Sequence, residues 1–503
     1  MVQLADKDLI SIQETRLLLK NAKKAQVELA QMSQCQIDTI CKAIKDAAMA
    51  NLERLAKMAN EETGFGVVED KVIKNYFASQ VVYESIKEMK TVGIVSSDEA
   101  KKIFEVAVPM GVVAGLIPST NPTSTVIYKA LIAIKAGNAI VFSPHPTAQN
   151  CIIETVRVLK VAAVAAGMPE DCIGCATEIT LEGTAELLKN KDTSLILATG
   201  GEAMVKAAYS SGNPAIGVGP GNGPAFIEKS ADIPLAVKQI IDSKTFDNGV
   251  ICASEQSIIV EKESEAEVIK ELIKQGCYIL SQDEKKQLET IMMTPKMTMN
   301  PKIVGKTAAY IAEMAGIRVP GETKILVGVE NRVGHDVAFS REKLCPILAF
   351  YIEDDWQKAC ERSIEILNKE GVGHTMIIHS QDQEIIKEFA LKKPVSRLLV
   401  NTPGALGGVG GTTNLIPAFT LGCGAVGGSI TSDNISPLNL INLRRVAYGV
   451  VELDEIRKNV ERESKGHPAR TVSREAALDQ AVEDKLDRVT DIIFEKLRNQ
   501  LNI

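Results

Sequence analysis

The feature that most constrains this chain is an alternation of short apolar runs with helical periods that begins at Gly111. Val112-Val113-Ala114-Gly115-Leu116-Ile117 is an uncharged run of strand length, as expected of a strand covered on both faces. Asn121 and Pro122 suit the N-cap and first position of a helix whose face carries Val126, Ala130, Leu131 and Ile134, and Gly137-Asn138 ends it. Ala139-Ile140-Val141-Phe142 is the next strand. Residues 147–166 form the next helix, closed by Gly167 and Pro169, and 195–198, 216–218 and 225–227 add strands. Strand, crossover helix, strand predicts a doubly wound parallel sheet. A second alternation starts near residue 238. It places strands at 257–260, 324–327, 347–351, 375–379 and 397–400 and helices at 266–274 and 356–369, which predicts a second α/β domain.

The flanks read differently. Residues 1–90 are helical, with Leu19, Ala25, Leu29, Ile37, Ile40, Ile44, Ala48 and Leu55 at three- and four-residue steps. Residues 91–108 are two extended segments around a polar turn at 96–102, and 404–428 is a glycine-rich connection. Residues 453–473 are charged, carry Gly466 and Pro468, and read as a linker. Residues 474–503 are amphipathic, with Leu478, Val482, Leu486, Val489, Ile493, Leu497 and Leu501 on one face.

Composition excludes several function classes. At roughly 100–200 residues per domain, a chain of this length holds two to four domains. Aromatic residues are 4% of the 503 and the formal charge is −7, so no base-stacking surface or global basic field for nucleic acid is expected. The uncharged stretches 106–128 and 398–432 are broken by proline or glycine, so no transmembrane helix is expected. Ten scattered cysteines and no signal-peptide pattern point to a reducing cytoplasm. Cys172 and Cys175 form a C-x-x-C without a second pair or a nearby His, and His374 and His379 stand apart from any Cys pair, so no metal site is expected.

Nucleotide motifs fail on spacing. Gly305-Lys306-Thr307 lacks the leading Gly of a P-loop, because position 300 is Asn. The first strand-to-helix turn reads Ile117-Pro118-Ser119-Thr120-Asn121-Pro122, not G-x-G-x-x-G, and the alternating Gly217, Gly219, Gly221 and Gly223 indicate only a tight loop. The informative segment is Thr245-Phe246-Asp247-Asn248-Gly249-Val250-Ile251-Cys252-Ala253-Ser254-Glu255-Gln256, a cysteine in a glycine-containing turn just before a strand. It resembles the nucleophile motif of the aldehyde dehydrogenase superfamily, and its CoA-acylating branch most of all. That branch includes microcompartment acetaldehyde and propionaldehyde dehydrogenases and the aldehyde dehydrogenase half of bifunctional alcohol/aldehyde dehydrogenases. The resemblance spans roughly residues 9–452. The 117–125 segment, Phe142-Ser143-Pro144-His145-Pro146, Glu342-Lys343-Leu344-Cys345-Pro346, Gly371-Val372-Gly373-His374-Thr375 and Leu421-Gly422-Cys423-Gly424 are similar to the branch in the same order.

The resemblance implies an aldehyde dehydrogenase fold. Its parts are a Rossmann-like cofactor domain over 1–237 with an oligomerisation hairpin at 91–108, an α/β catalytic domain over 238–415, and a return to the first domain over 416–452. The linker and terminal helix follow. It further implies that Cys252 attacks an aldehyde carbon, that the Asn121 amide and the Cys252 backbone N–H stabilise the oxyanion, and that hydride passes to NAD. The acyl-Cys252 thioester then passes to the CoA thiol, with His374 helping that thiol. Glu342, Ser143, Pro144, His145, Thr199, Gly200, Gly201, Gly219 and Gly221 are the implied cofactor-binding residues. Ser143 and Pro146 stand where the family carries a ribose-binding Lys and Glu, which leaves NADP open. Val218 stands where hydrolytic members carry the Glu that activates water, which favours acyl transfer to CoA. A short aldehyde such as acetaldehyde or propionaldehyde is the expected substrate, in a homodimer or homotetramer. The mixed-sign 474–503 helix is similar to peptides that dock on microcompartment shell proteins; an oligomer contact is the other reading. Two further functions stay open at this point: a hydrolytic or phosphorylating semialdehyde dehydrogenase, and a scaffold on the same fold without catalysis.

Overall fold

The computed structural model describes residues 6–466 apart from Lys296. Two parallel sheets organise the larger unit. The first has five strands in the spatial order Ile173–Cys175, Ala139–Ser143, Val112–Leu116, Thr193–Thr199, Ala215–Val218. Chain order reverses between Val112–Leu116 and Thr193–Thr199, so the carboxyl ends of these two strands open a crevice, the usual ligand position in a doubly wound sheet. Every residue of Val112–Leu116 and Ala139–Ser143 is buried, which explains their unbroken apolar runs.

The crossover helix Pro122–Lys135 is buried along its whole length. Its Lys129 ammonium donates to the carbonyls of Leu116 and Leu197, both at 2.8 Å, and ties the two strands together beside the crevice. Residues 418–440 return to this domain. Ala418, Phe419, Leu421, Ile435 and Leu440 join its core, and the Asn138 amide donates to the Leu440 carbonyl at 2.9 Å.

The second sheet has seven parallel strands, ordered Cys277–Ile279, Ile325–Val329, Ile347–Glu353, Glu255–Glu261, Gly223–Ile227, Gly373–His379, Val395–Val400. One correction follows: the strand read at 225–227 belongs here, paired with Glu255–Glu261 and Gly373–His379, and not to the first sheet. The chain therefore crosses between the sheets in the loop between Val218 and Gly223, before any composition change. Two apolar clusters cover the faces of this sheet. The helices Ile233–Thr245, Gln282–Met292, Ala308–Met314 and Gln383–Lys392 were not read from the pattern, because proline, charge or shortness masks their periods.

The strands Gly93–Asp98, Ile103–Pro109 and Ile441–Ala447 form a third sheet with Ile103–Pro109 in the middle. Among the described residues, the smaller unit comprises Ser97–Phe104 and residues 445–466. In it the Tyr448 N–H donates to the Lys102 carbonyl at 3.1 Å and the Phe104 and Tyr448 rings lie 6.4 Å apart. The linker expectation for 453–473 is corrected in its first part, where Leu453–Gly466 is an α-helix. Asp454 and Glu455 favour its N-terminus, Arg457 pairs with Asp454 at 2.9 Å, and the Gly that suggested a linker is its last residue. The 474–503 helix lies outside the described residues.

Two buried histidines on Gly373–His379 link stability to pH. Burial, with the nearby Arg397, pushes His374 down to about 3, and burial pushes His379 down to about 4. Unfolding returns each to near 6.5, so from about pH 6.5 downward the unfolded chain binds the extra proton and stability is lost. Glu255 and Glu342, raised to about 7 by burial, act with the opposite sign between about 7 and 4.5. The histidine contribution is therefore read from a difference. His379→Gln, compared with the parent by urea denaturation, is expected to gain about 2 kcal/mol in relative stability at pH 5 over its value at pH 7.5. An equal difference at both pH values would mean that His379 titrates in the fold as it does in the unfolded chain.

Candidate active site

Cys252 is held between the helix Ile233–Thr245 and the strand Glu255–Glu261 by one helical turn, Phe246–Gly249. Asp247 and Asn248 in that turn have φ of 51° and 52°. Left-handed backbone at residues bearing a Cβ costs about 1–3 kcal/mol and persists where the surroundings enforce it. They do so here. The fully buried Asp247 carboxylate accepts from the Val67 N–H at 2.7 Å, from Lys71 at 2.9 Å and from Lys74 at 2.5 Å, while its own N–H donates to Asp70 at 2.7 Å.

Opposite, Gly221 backs the nucleophile. A Cβ on Gly221 would lie 1.9 Å from the Cys252 carbonyl oxygen, and its N–H donates to Glu342 at 2.8 Å. Gly221 thus supports the loop and one carboxylate; it is not among the residues lining the crevice. Gly305, the false P-loop glycine, is a brace too: its carbonyl accepts from Gly66 N–H and the Asn248 amide at 3.0 Å.

The crevice beside Cys252 is a cavity of about 340 Å³. Asn121, His145, Thr199, Gly200, Gly201, Gly219 and Glu342 line it together with Cys252. Val218 lines it as well, so an isopropyl group, not a carboxylate, occupies that wall. Besides Gly221, three expected residues stand elsewhere. Ser143 is buried with its hydroxyl 3.2 Å from that of Thr184, and Pro144 is buried beside it; neither lines the crevice. His374 is buried outside it, with Nδ1 on the Thr375 hydroxyl at 2.9 Å and Nε2 without a partner.

Asn121 corrects a further expectation. It occupies the N-cap of Pro122–Lys135, yet its side chain makes no cap hydrogen bond, an arrangement that forgoes about 1 kcal/mol of helix stability. Its Oδ1 instead accepts from the Lys74 ammonium at 2.7 Å. A lysine can only donate, so this contact fixes which end of the amide faces it and turns the NH2 end the other way, where it donates to the Thr120 hydroxyl at 3.4 Å on the crevice wall. Lys74, Lys71 and Asp247 were not singled out from the sequence; only the Lys-x-x-Lys spacing on one face of Val68–Tyr76 hinted at a shared partner.

The crevice also fits a dinucleotide. Gly201 is the N-cap of the helix Glu202–Tyr209, whose free N–H groups favour a pyrophosphate, and a Cβ on Gly219 would meet nothing within 4 Å, so backbone and ligand can approach closely there.

The sequence profile of the aldehyde dehydrogenase family matches residues 4–412. The chain belongs to the aldehyde dehydrogenase family. It is 44% identical over 442 residues to the bifunctional aldehyde-alcohol dehydrogenase AdhE of Escherichia coli (strain K12), covering 87% of this chain and 50% of that protein. It thus spans about half the length of the curated relatives it matches first. Among solved structures it is similar to an acetylating aldehyde dehydrogenase from Geobacillus thermoglucosidasius, with 52% identity, a TM-score of 0.88, and 90% and 99% of the two chains covered. It is also similar to a propionaldehyde dehydrogenase from the Clostridium phytofermentans fucose utilisation bacterial microcompartment, with 28% identity, a TM-score of 0.79, and 86% and 97% covered. The two-sheet architecture is therefore the aldehyde dehydrogenase fold.

Electrostatics set the resting state of the nucleophile. Burial, then the negative charge of Glu342 and Cys423, push the Cys252 thiol up to about 12, against the pull of Arg397. The cysteine is thus a thiol at neutral pH until a ligand changes its surroundings. Alkylation of Cys252 by iodoacetamide in the free enzyme is expected to rise about tenfold per pH unit from 7 to 9, because the thiolate is the reactive form. A rate that levels off below pH 8 would show a thiolate already stabilised by the empty crevice.

Proposed function

We propose that this protein oxidises a short, uncharged aldehyde with NAD and CoA to the acyl-CoA, and runs the reverse reduction, through a thioester on Cys252. The observation that carries the reading is Val218 on the wall of the Cys252 crevice. Among the described residues lining that crevice, Glu342 is the one carboxylate, and its Oε1 is occupied by the Gly221 N–H. With Val218 where hydrolytic members carry the Glu that activates water, a thioester on Cys252 is expected to outlast hydrolysis and meet a thiol. Similarity to an acetylating aldehyde dehydrogenase supports the same conclusion.

The steps follow from the residues. Cys252 gives up its thiol proton to solvent, its sulfur attacks the aldehyde carbon, and the carbonyl π pair moves to the oxygen, which gains negative charge. The Asn121 NH2 and the Cys252 N–H donate to that oxygen; losing one such donor typically costs about 2.7–4 kcal/mol of barrier. The dinucleotide, when bound, supplies the hydride acceptor. Glu342 and the Thr199–Gly201 turn would hold it, with His145 at the rim. The CoA thiol then attacks the acyl carbon, and Cys252 leaves as thiolate. His374, the residue expected to help the CoA thiol, is held neutral by burial, pushed down to about 3, which makes it a weak base in this state; its unpartnered Nε2 fits a hydrogen-bonding role toward CoA better than proton abstraction.

The crevice also speaks to the substrate. Ile251, Leu344, Val409, Phe419 and Leu421 give it an apolar wall, and among the described residues lining it none is Lys or Arg. An aldehyde with a second, anionic group would bury that charge unpaired. Acetaldehyde and propionaldehyde are expected to exceed succinate semialdehyde or sulfoacetaldehyde by at least about tenfold in kcat/KM, a difference of about 1.4 kcal/mol. NADH formation is expected to require CoA, Cys252→Ala to abolish it, and Val218→Glu to create a CoA-independent rate. Parent activity that proceeds at full rate without CoA would establish the hydrolytic reading instead.

The 91–108 segment and 474–503 complete the proposal as an oligomer contact and a shell-docking helix in a bacterial microcompartment. Similarity to a microcompartment enzyme and the apolar stripe of 474–503 support this. Truncation after Ser473 is expected to leave kcat/KM unchanged and abolish co-sedimentation with shell proteins; loss of activity and oligomer together would make the segment an assembly contact.

A further inference from the structure

We propose that Lys74 is a positioning residue for the reaction: one buried ammonium sets both donors to the oxyanion, the Asn121 side chain and the backbone leading to Cys252. The proposal rests on the reading of Asn121 as an oxyanion donor. Lys74 is 3% exposed and does not line the crevice, so it acts through other groups. An ammonium has three donors. Lys74 places them on Asp247 Oδ2 at 2.5 Å, Asn121 Oδ1 at 2.7 Å and the Val250 carbonyl at 2.7 Å. All three acceptors belong to the site. Asp247 enforces the left-handed turn before the nucleophile, Val250 is two residues before Cys252, and Asn121 stands on the opposite domain's first crossover.

A charge-balancing role alone does not account for this geometry. Lys71 already pairs with Asp247 at 2.9 Å, and its ammonium makes no bond to Asn121 or Val250. The contact on Asn121 also has a competitor. At an N-cap, an Asn side-chain oxygen normally accepts from a backbone N–H of the first helical turn. Without Lys74, Oδ1 is free to turn to that bond, and the NH2 end leaves the crevice with it. A positive charge behind Oδ1 further polarises the amide, which makes its N–H groups stronger donors toward a developing oxyanion.

The test uses thioester exchange, which needs no dinucleotide. Full-length enzyme is mixed with acetyl-CoA and acetyl-Cys252 formation is followed by intact mass. Asn121→Ala is expected to lower the maximal acylation rate by about 10²–10³-fold, the loss typical of one oxyanion donor. Lys74→Met is expected to lower it by about 10–100-fold, with the half-saturating acetyl-CoA concentration within about threefold of the parent, as for a misplaced transition-state contact. The double variant is expected to be slower than Asn121→Ala by clearly less than the factor Lys74→Met costs in the parent, because the share that passes through Asn121 is already lost and only the share through the Val250–Cys252 backbone remains. Lys71→Met, which removes a lysine from Asp247 but not from Asn121, is expected to multiply with Asn121→Ala. Lys74→Gln keeps a donor of similar length and serves if the methionine variant does not fold; it is expected to follow the same pattern with a smaller loss. If the Lys74 and Asn121 effects multiply, the positioning role is overturned and the oxyanion reading stands. If Asn121→Ala acylates at the parent rate, both fall.

Discussion

A carboxylate buried without water is stable as an ion only beside cations and donors, and Asp247 has both in Lys71, Lys74 and the Val67 N–H. The backbone around it is strained, with Asp247 and Asn248 in the left-handed region. The ion cluster and the strain therefore depend on one another. Removing one partner of such a buried pair typically costs about 3–5 kcal/mol, because the remaining charge is left uncompensated. This makes the Phe246–Gly249 turn a rigid platform, and Cys252 is presented from it. Gly66 records how tight the cluster is: a Cβ there would lie 1.8 Å from the Asp247 Oδ1.

The same cluster joins elements that are distant in sequence. The helix Val68–Tyr76 supplies the cations, the turn before Glu255–Glu261 supplies the anion, and the loop after Val112–Leu116 supplies Asn121. The crevice at the switch point of the five-stranded sheet is a consequence of strand order. The chemistry in it requires that a loop of the second sheet be locked against that crevice, and the buried lysines do this. Gly221 works from the other side, where its missing side chain admits the Cys252 carbonyl.

Legibility in the sequence followed physical type. Strands buried on both faces, such as Val112–Leu116 and Ile347–Glu353, are unbroken apolar runs and were readable. So was the nucleophile turn, because a Cys beside Gly before a strand resembles a known motif. The membership of Gly223–Ile227 was not readable: a strand buried in either sheet has the same composition, and only pairing decides. Lys71 and Lys74 were not readable either. On a helix with Glu69 and Asp70 they look like an ordinary solvated face, and their burial depends on a carboxylate 173 residues away. Charged residues become functional here through tertiary desolvation, which leaves no periodic trace in the chain.

That desolvation also explains how one crevice can hold a thiol at rest and a thioester in turnover. Cys252, Glu342 and His374 are all shifted by burial toward their neutral forms. A neutral thiol is chemically quiet, which protects a nucleophile that would otherwise be oxidised or alkylated. The charge in contact with Asn121 is the Lys74 ammonium, compensated by Asp247. Burial pushes it down to about 8 against the pull of Asp247, so it stays mostly charged at neutral pH. The site is thus neutral where substrate enters and positive behind the amide where negative charge develops. Stabilisation is preorganised for the oxyanion and withheld from the resting thiolate, and that difference between states is what lowers a barrier without trapping the ground state.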